Sequence, residues 1–74
     1  MCLLEMKVGE SACIDALNVQ GELKNRLNSL GFIRDNSICV KQFSLFKSTV
    51  QVMINRSLIA LRREEARLIE VHII

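Results

Sequence analysis

Residues 37–54 read SICVKQF-SLFKS-TVQVMI, two alternating segments joined by a five-residue loop. Ile38 and Val40 share one face of the first segment, and Val50 and Val52 share one face of the second. Alternation with a period of two is typical of strands that bury one face. The pattern therefore predicts two neighbouring strands, Ser37–Phe43 and Thr49–Ile54, on either side of the loop Ser44–Ser48.

Three further segments extend this pair into a larger sheet. Ser11–Leu17 also alternates, and it places Ala12 and Ala16 on the same face. Leu58–Leu61 is short and apolar, and Leu68–Ile74 alternates again at the end of the sequence. Strands this short and apolar hide their edges best in a small curved sheet that closes on itself. We therefore predict a barrel of about five strands.

One helix is predicted after the first strand. Leu23 and Leu27 belong to a set of leucines at positions i, i+4 and i+7 within Glu22–Leu30, so they share one face. Gly31 stands where a glycine in the left-handed conformation commonly ends a helix. Arg62–Arg67 carries charge on both sides of an alanine and is predicted to form a single helical turn. The fold class is therefore mainly β with one α-helix.

The composition indicates a single globular domain, residues 1–74. Half of the 74 residues are hydrophobic, which excludes a disordered tail. Ten basic and eight acidic residues give a net charge of +2, which is too small and too mixed to indicate a nucleic-acid partner. No segment approaches the ~20 consecutive apolar residues that span a membrane. We therefore expect neither nucleic-acid binding nor direct membrane insertion.

The cysteines indicate a reducing compartment. Cys2, Cys13 and Cys39 are odd in number and form no C-x-x-C motif, whereas small secreted domains normally carry a paired framework. The first nine residues also lack the apolar run and cleavage site of a signal peptide. We therefore expect a cytoplasmic location.

The sequence contains no recognisable catalytic, cofactor or metal-binding motif. His72 is the only histidine, and Gly9, Gly21 and Gly31 are too scattered to form a phosphate-binding loop. The cysteines, the histidine and the three methionines lack the spacing of metal ligands, so we expect them to be small structural or solvated side chains. Weak binding of a divalent metal by surface carboxylates that bridge two copies stays open.

Four motifs follow one another along the chain: Val8-Gly9-Glu10, then Leu23-x-x-x-Leu27-x-x-Leu30-Gly31-Phe32, then the alternating hairpin, then Ile59-Ala60-Leu61-Arg62-x-Glu64-x-Ala66-x-x-Ile69-x-Val71. Their order resembles that of the FeoA family, small bacterial accessory proteins of ferrous iron uptake. The resemblance covers nearly the whole chain, and the last motif is its most specific part. The loop Ser44–Ser48 departs from the family pattern, because it has neither glycine nor proline.

The resemblance implies a fold, a partner and an alternative function. The fold is an SH3-like small barrel with a helix after the first strand. The implied function is that of a non-enzymatic adaptor, with a FeoB-type ferrous iron permease, approached from its cytoplasmic side, as the partner. The same fold forms the C-terminal domain of iron-dependent repressors, so a metal-responsive regulatory module is the alternative. Formation of a homo-oligomer stays open.

Two groups of residues are candidate partner contacts. Leu45 and Phe46 stand in a loop otherwise built from serine and lysine, so they form either a lid on the barrel or an exposed anchor. Arg62 and Arg63 belong to the densest basic cluster, where interleaved glutamates favour a solvated turn that could form a charged rim for a protein. No aromatic platform for stacking bases accompanies them. We therefore predict partner contacts at Leu45, Phe46, Lys47, Arg62 and Arg63.

Overall fold

The alternating segments form one five-stranded antiparallel sheet in the computed structural model, which describes all residues from 1 to 74. The strands are β1 (Ser11–Leu17), β2 (Ser37–Phe43), β3 (Thr49–Ile54), β4 (Ser57–Arg62) and β5 (Ile69–Ile73), in the spatial order β4-β3-β2-β1-β5. The main helix, α1 (Gly21–Ser29), follows β1, and a single helical turn, α2 (Arg63–Ala66), follows β4. The predicted fold class, mainly β with one helix after the first strand, is confirmed.

The alternation predicts the buried face of the sheet well, except where a bulge interrupts it. Val50, Val52 and Ile54 are buried along β3, as their spacing requires. Ala16 was expected to be buried with Ala12, but it is exposed. The pairing between β1 and β5 shifts just before Ala16, and such a bulge turns the following side chain to the other face.

Gly31 ends the helix as the sequence predicts. Its φ is +105°, and the N–H of Gly31 donates to the carbonyl of Asn28 (3.0 Å). The N–H of Phe32 donates to the carbonyl of Leu27 (3.0 Å), so the two bonds form a Schellman motif. Phe32 and Leu27 are both fully buried, which joins the end of the helix to the core.

A two-residue turn joins β3 to β4. Asn55 and Arg56 both have positive φ, 49° and 68°, as a type I′ hairpin turn requires. The register follows without interruption from Ile54 opposite Ser57 to Thr49 opposite Arg62. The turn therefore fixes which residues of the two strands face each other.

One outer edge of the sheet is covered by another segment of the chain, and the other is not. The start of the chain covers β5, because the N–H of Val71 donates to the carbonyl of Met1 (2.7 Å) and Cys2 pairs with Glu70. Leu3, in a short 3-10 turn that follows, is fully buried. No strand pairs with the outer side of β4, and β4 and β5 do not pair with each other. The two outer strands therefore do not close the sheet by pairing: the start of the chain covers the edge at β5, and the edge at β4 is open.

Candidate interaction surface

The loop between β2 and β3 holds Leu45 and Phe46, here called the tip, away from the domain. Ser44 closes the base of the loop: its N–H donates to the carbonyl of Thr49 (3.0 Å), and its Oγ accepts from the N–H of Thr49 (2.8 Å). The hydroxyls of Ser44 and Ser48 lie 2.8 Å apart. Leu45 is 78% exposed and Phe46 is 82% exposed. The tip is therefore not a lid on the core.

The backbone is strained at Phe46 and Lys47, and the side chain of Lys47 ties the loop to the domain. Phe46 and Lys47 have φ values of 60° and 56°, a left-handed conformation that costs roughly 1–2 kcal/mol for each non-glycine residue. Lys47 Nζ donates to the carbonyl of Leu4 (3.2 Å) and lies 4.7 Å from the centroid of the Phe43 ring. Of the predicted contact residues, Lys47 is therefore the one whose charged group already has partners within the chain.

The fold brings the tip and the arginines of the sequence prediction to the same end of the sheet. Thr49, at the end of the loop, pairs with Arg62, and the N–H of Arg63 donates to the carbonyl of Ser48 (3.0 Å). Both arginine side chains are exposed, and neither has a carboxylate within 4.0 Å. This end of the molecule therefore combines an apolar tip with unpaired positive charge.

Glu65 holds the start of α2 in place without neutralising these arginines. Its Oε1 accepts from the backbone N–H of Arg62 (2.9 Å), and its Oε2 forms an ion pair with Arg26 on α1. The carboxylate is therefore occupied by a backbone donor and by the guanidinium of another element.

The sulfur and imidazole groups do not converge on a metal site. Cys13 pairs with His72 across β1 and β5, and His72 Nδ1 lies 2.5 Å from Asp15 Oδ1. Cys13 and Cys39 lie on adjacent strands, two positions out of register, and all three cysteines are free thiols. The structure contains no group of three or more His, Cys, Asp or Glu residues placed to hold a metal ion.

Sequence reasoning missed the contact between the loop and α2. Ser48 and Arg63 are far apart in sequence, and neither belongs to a motif that pairs them. The signal that could have found the contact is the length of the Asn55–Arg56 turn, because a two-residue hairpin connection places Thr49 opposite Arg62. No feature of the sequence indicates the role of Lys47, because the acceptor of its ammonium group is a backbone carbonyl in the first turn of the chain.

The geometry is that of a small SH3-like β-barrel domain with a protruding apolar tip. A family model for the FeoA domain matches residues 1–73, and the chain belongs to the FeoA family. A Campylobacter jejuni protein named Fe(2+) transport protein A is 43% identical to the chain, and the alignment covers 100% of both. The resemblance stated from the sequence is thus confirmed, and the chain is a member of a family involved in Fe²⁺ transport.

Solved structures support both the fold and the family. The FeoA protein of Chlorobium tepidum matches with a TM-score of 0.91 and 33% identity, over 99% of this chain and 70% of that one. Iron(II) transport protein A of Clostridium thermocellum matches with a TM-score of 0.94 and 34% identity, over 100% of this chain and 46% of that one. A manganese-dependent transcriptional repressor matches with a TM-score of 0.88 but only 17% identity, over 36% of its length, which shows a shared fold alone.

No helix in the structure is both long enough and apolar enough to cross a membrane.

Proposed function

We propose that this chain is a non-enzymatic accessory protein of ferrous iron uptake that docks on the cytoplasmic side of a FeoB-type permease and modulates transport. Membership of a family involved in Fe²⁺ transport supports the iron context. The observation that carries the docking role is the tip, where two large apolar side chains are exposed and the backbone of Phe46 is left-handed. Exposed apolar side chains next to unpaired charge are typical of contact sites for proteins.

In the proposed contact, apolar and charged side chains have different roles. Leu45 and Phe46 supply the apolar area that a partner would bury, and such anchors commonly dominate the binding energy. Arg62 and Arg63 form a charged rim, which is expected to raise the association rate more than the affinity. Lys47 orients the tip through its bonds to the domain rather than through a contact of its ammonium group with the partner.

A direct binding measurement tests this function. The purified chain is titrated against the G-protein domain of the permease, in the GDP-bound and GTP-bound states, and against the detergent-solubilised full permease. We expect binding to at least one of them, and we expect the double change Leu45→Ser with Phe46→Ser to weaken it by about thirtyfold or more, the loss of one typical anchor residue.

The control is Ile33→Ser, which removes an apolar side chain of 49% exposure near the start of β2, at the far end of that strand from the tip. This variant should bind like the wild type. Absence of binding to the permease in every state, or equal affinities for the tip variant and the wild type, would contradict the proposal.

A further inference from the structure

The outer edge of β4 presents unpaired backbone groups. The two-residue turn makes Ile54 and Ser57 a hydrogen-bonded pair, so Ser57, Ile59 and Leu61 bond to β3. The N–H and C=O groups of Leu58 and Ala60 therefore point away from the sheet. No backbone hydrogen bond from another segment reaches them. Two donors and two acceptors are thus aligned and open.

This edge lacks the features that normally protect a terminal strand. Edge strands are usually blunted by charged residues, proline or a bulge. Residues 57–61 read SLIAL, with no charge and no proline, and their pairing with β3 shows no shift in register. Leu58 is 54% exposed, and Ala60 is also exposed. The edge is therefore a template on which another strand can be added.

Positive charge flanks the open edge at both ends. Arg56 lies in the turn before β4, and Arg62 and Arg63 lie at the other end. None of the three has a carboxylate within 4.0 Å. An added strand would therefore meet apolar side chains in its middle and guanidinium groups near both of its ends.

The charge pattern disfavours a second copy of this chain in the register that pairs Leu58 with Ala60. Antiparallel pairing of two β4 strands centred on Ile59 places Arg56 opposite Arg62 of the other copy. Pairing centred on Ala60 places Ser57 opposite Arg63 and Arg56 opposite Glu64 of the other copy. The register centred on Ile59, which pairs Leu58 with Ala60 of the other copy, therefore brings like charges together, and this is unfavourable across paired strands.

We propose that the β4 edge binds an extended segment of a partner protein, with alternating apolar residues in its middle and carboxylates at both ends. The segment adds a sixth strand to the sheet. Main-chain bonds to Leu58 and Ala60 supply affinity, and ion pairs with Arg56 and Arg62 select an acidic segment. This binding mode does not depend on the tip or on the permease as the partner.

Titration of the isotopically labelled chain with a synthetic peptide tests the proposal. The probe is acetyl-Asp-Glu-Val-Thr-Val-Thr-Val-Glu-Asp-amide, and the matched control peptide carries lysine in place of each acidic residue. We expect the acidic peptide to shift the amide signals of Leu58 and Ala60 and to slow their hydrogen exchange. We expect the lysine peptide to bind at least about tenfold more weakly, because it meets like charge.

Two variants locate the contact. Ala60→Pro removes an outward N–H at an edge position that tolerates proline, whereas Ala60→Ser keeps it. We expect Ala60→Pro to bind the acidic peptide at least about tenfold more weakly than Ala60→Ser. The double change Arg56→Ser with Arg62→Ser leaves the backbone of β4 unaltered, so it tests the ion pairs even if the proline variant does not fold. It should weaken binding to a similar degree.

Three results would overturn the proposal. The first is the absence of shifts on β4 at millimolar concentrations of the acidic peptide. The second is unchanged affinity in a folded Ala60→Pro variant, or in the double arginine variant. The third is protection of Leu58 and Ala60 that rises with protein concentration in the absence of peptide, which would assign the edge to a second copy.

Discussion

At the scale of single residues, Phe46 combines high exposure with an unfavourable backbone. Its ring is 82% exposed and its φ is 60°, so the residue buries little in return for a conformation that asparagine or glycine adopts more readily. Lys47, the next residue, is also left-handed, but its ammonium group bonds to Leu4. Stability alone therefore gives no reason for a phenylalanine at position 46, which supports its assignment as a contact residue.

Phe46→Asn should separate stability from binding. We expect the free energy of unfolding to rise by about 0.5–1 kcal/mol, because asparagine tolerates the left-handed conformation and little packing is lost. The same variant should bind the permease more weakly. Urea denaturation measures the first effect, with Leu45→Asn as the control, because Leu45 is similarly exposed but has no positive φ. A loss of more than ~1 kcal/mol in Phe46→Asn would show that the ring packs against the domain.

At the scale of elements, the first turn of the chain depends on one carboxylate. Glu5 Oε1 accepts from the N–H of Cys2 (2.8 Å), and this hydrogen bond is the main reason that the pKa of Glu5 lies below its ordinary value of 4.5. A lowered pKa in the folded state means that the bond stabilises the fold above about pH 4.5 and that this contribution is lost as the pH falls through the lower value. The turn at Leu3–Glu5 should therefore loosen in acid.

Glu5→Gln should make the free energy of unfolding less dependent on pH in acid. Glutamine keeps an acceptor for the N–H of Cys2 but does not titrate, so the variant should lose less stability than the wild type between neutral pH and about pH 3. Denaturant midpoints across this range measure the difference. Glu22→Gln, in the first turn of α1, controls for the removal of one negative charge. If the wild type and Glu5→Gln lose the same stability between neutral pH and about pH 3, the carboxylate of Glu5 does not have the expected role in the turn.

The elements also show what the sequence could predict and what it could not. The bounds of β1, β2 and β3 agree with the predicted segments, because alternation with a period of two marks where each strand begins and ends. The first turn of the chain was not predicted, since the mixed apolar residues of 1–7 have no period. Alternation likewise could not locate the bulge that exposes Ala16.

The candidate site was only partly predictable for a related reason. Composition singled out Leu45 and Phe46 as unusual in a polar loop, but a lid and an exposed anchor have the same sequence pattern. Only the backbone, with Phe46 in a left-handed conformation, decides which way the tip points. No sequence pattern indicates the open edge of β4, because this edge depends on which strand lies outermost in the sheet.

At the scale of the whole molecule, the core extends into the segment that covers β5. Leu3 and Met6 are buried among residues of the sheet, although they precede the first strand. For a chain of 74 residues, each such side chain is a considerable fraction of the total stability. The start of the chain therefore belongs to the core and is not a dispensable extension.

Leu3→Ala should destabilise the entire domain. We expect a loss of about 2–4 kcal/mol in the free energy of unfolding, as for other fully buried leucines, and faster hydrogen exchange at the amide of Val71. Val8→Ala, at a position 60% exposed, is the control and should change stability by less than ~0.5 kcal/mol. If the two variants unfold at the same denaturant concentration, the segment that includes Leu3 does not belong to the core.

The difference between the two edges of the sheet also limits how this domain can assemble. Growth of a cross-β fibre requires two open strand edges on every subunit, so that each added molecule presents a free edge to the next one. Here Met1 and Cys2 cover the edge at β5, so only the edge at β4 is open to another strand. Association along the sheet therefore terminates after one step, and a chain with an unprotected strand avoids polymerisation without a proline or a charged gatekeeper in that strand.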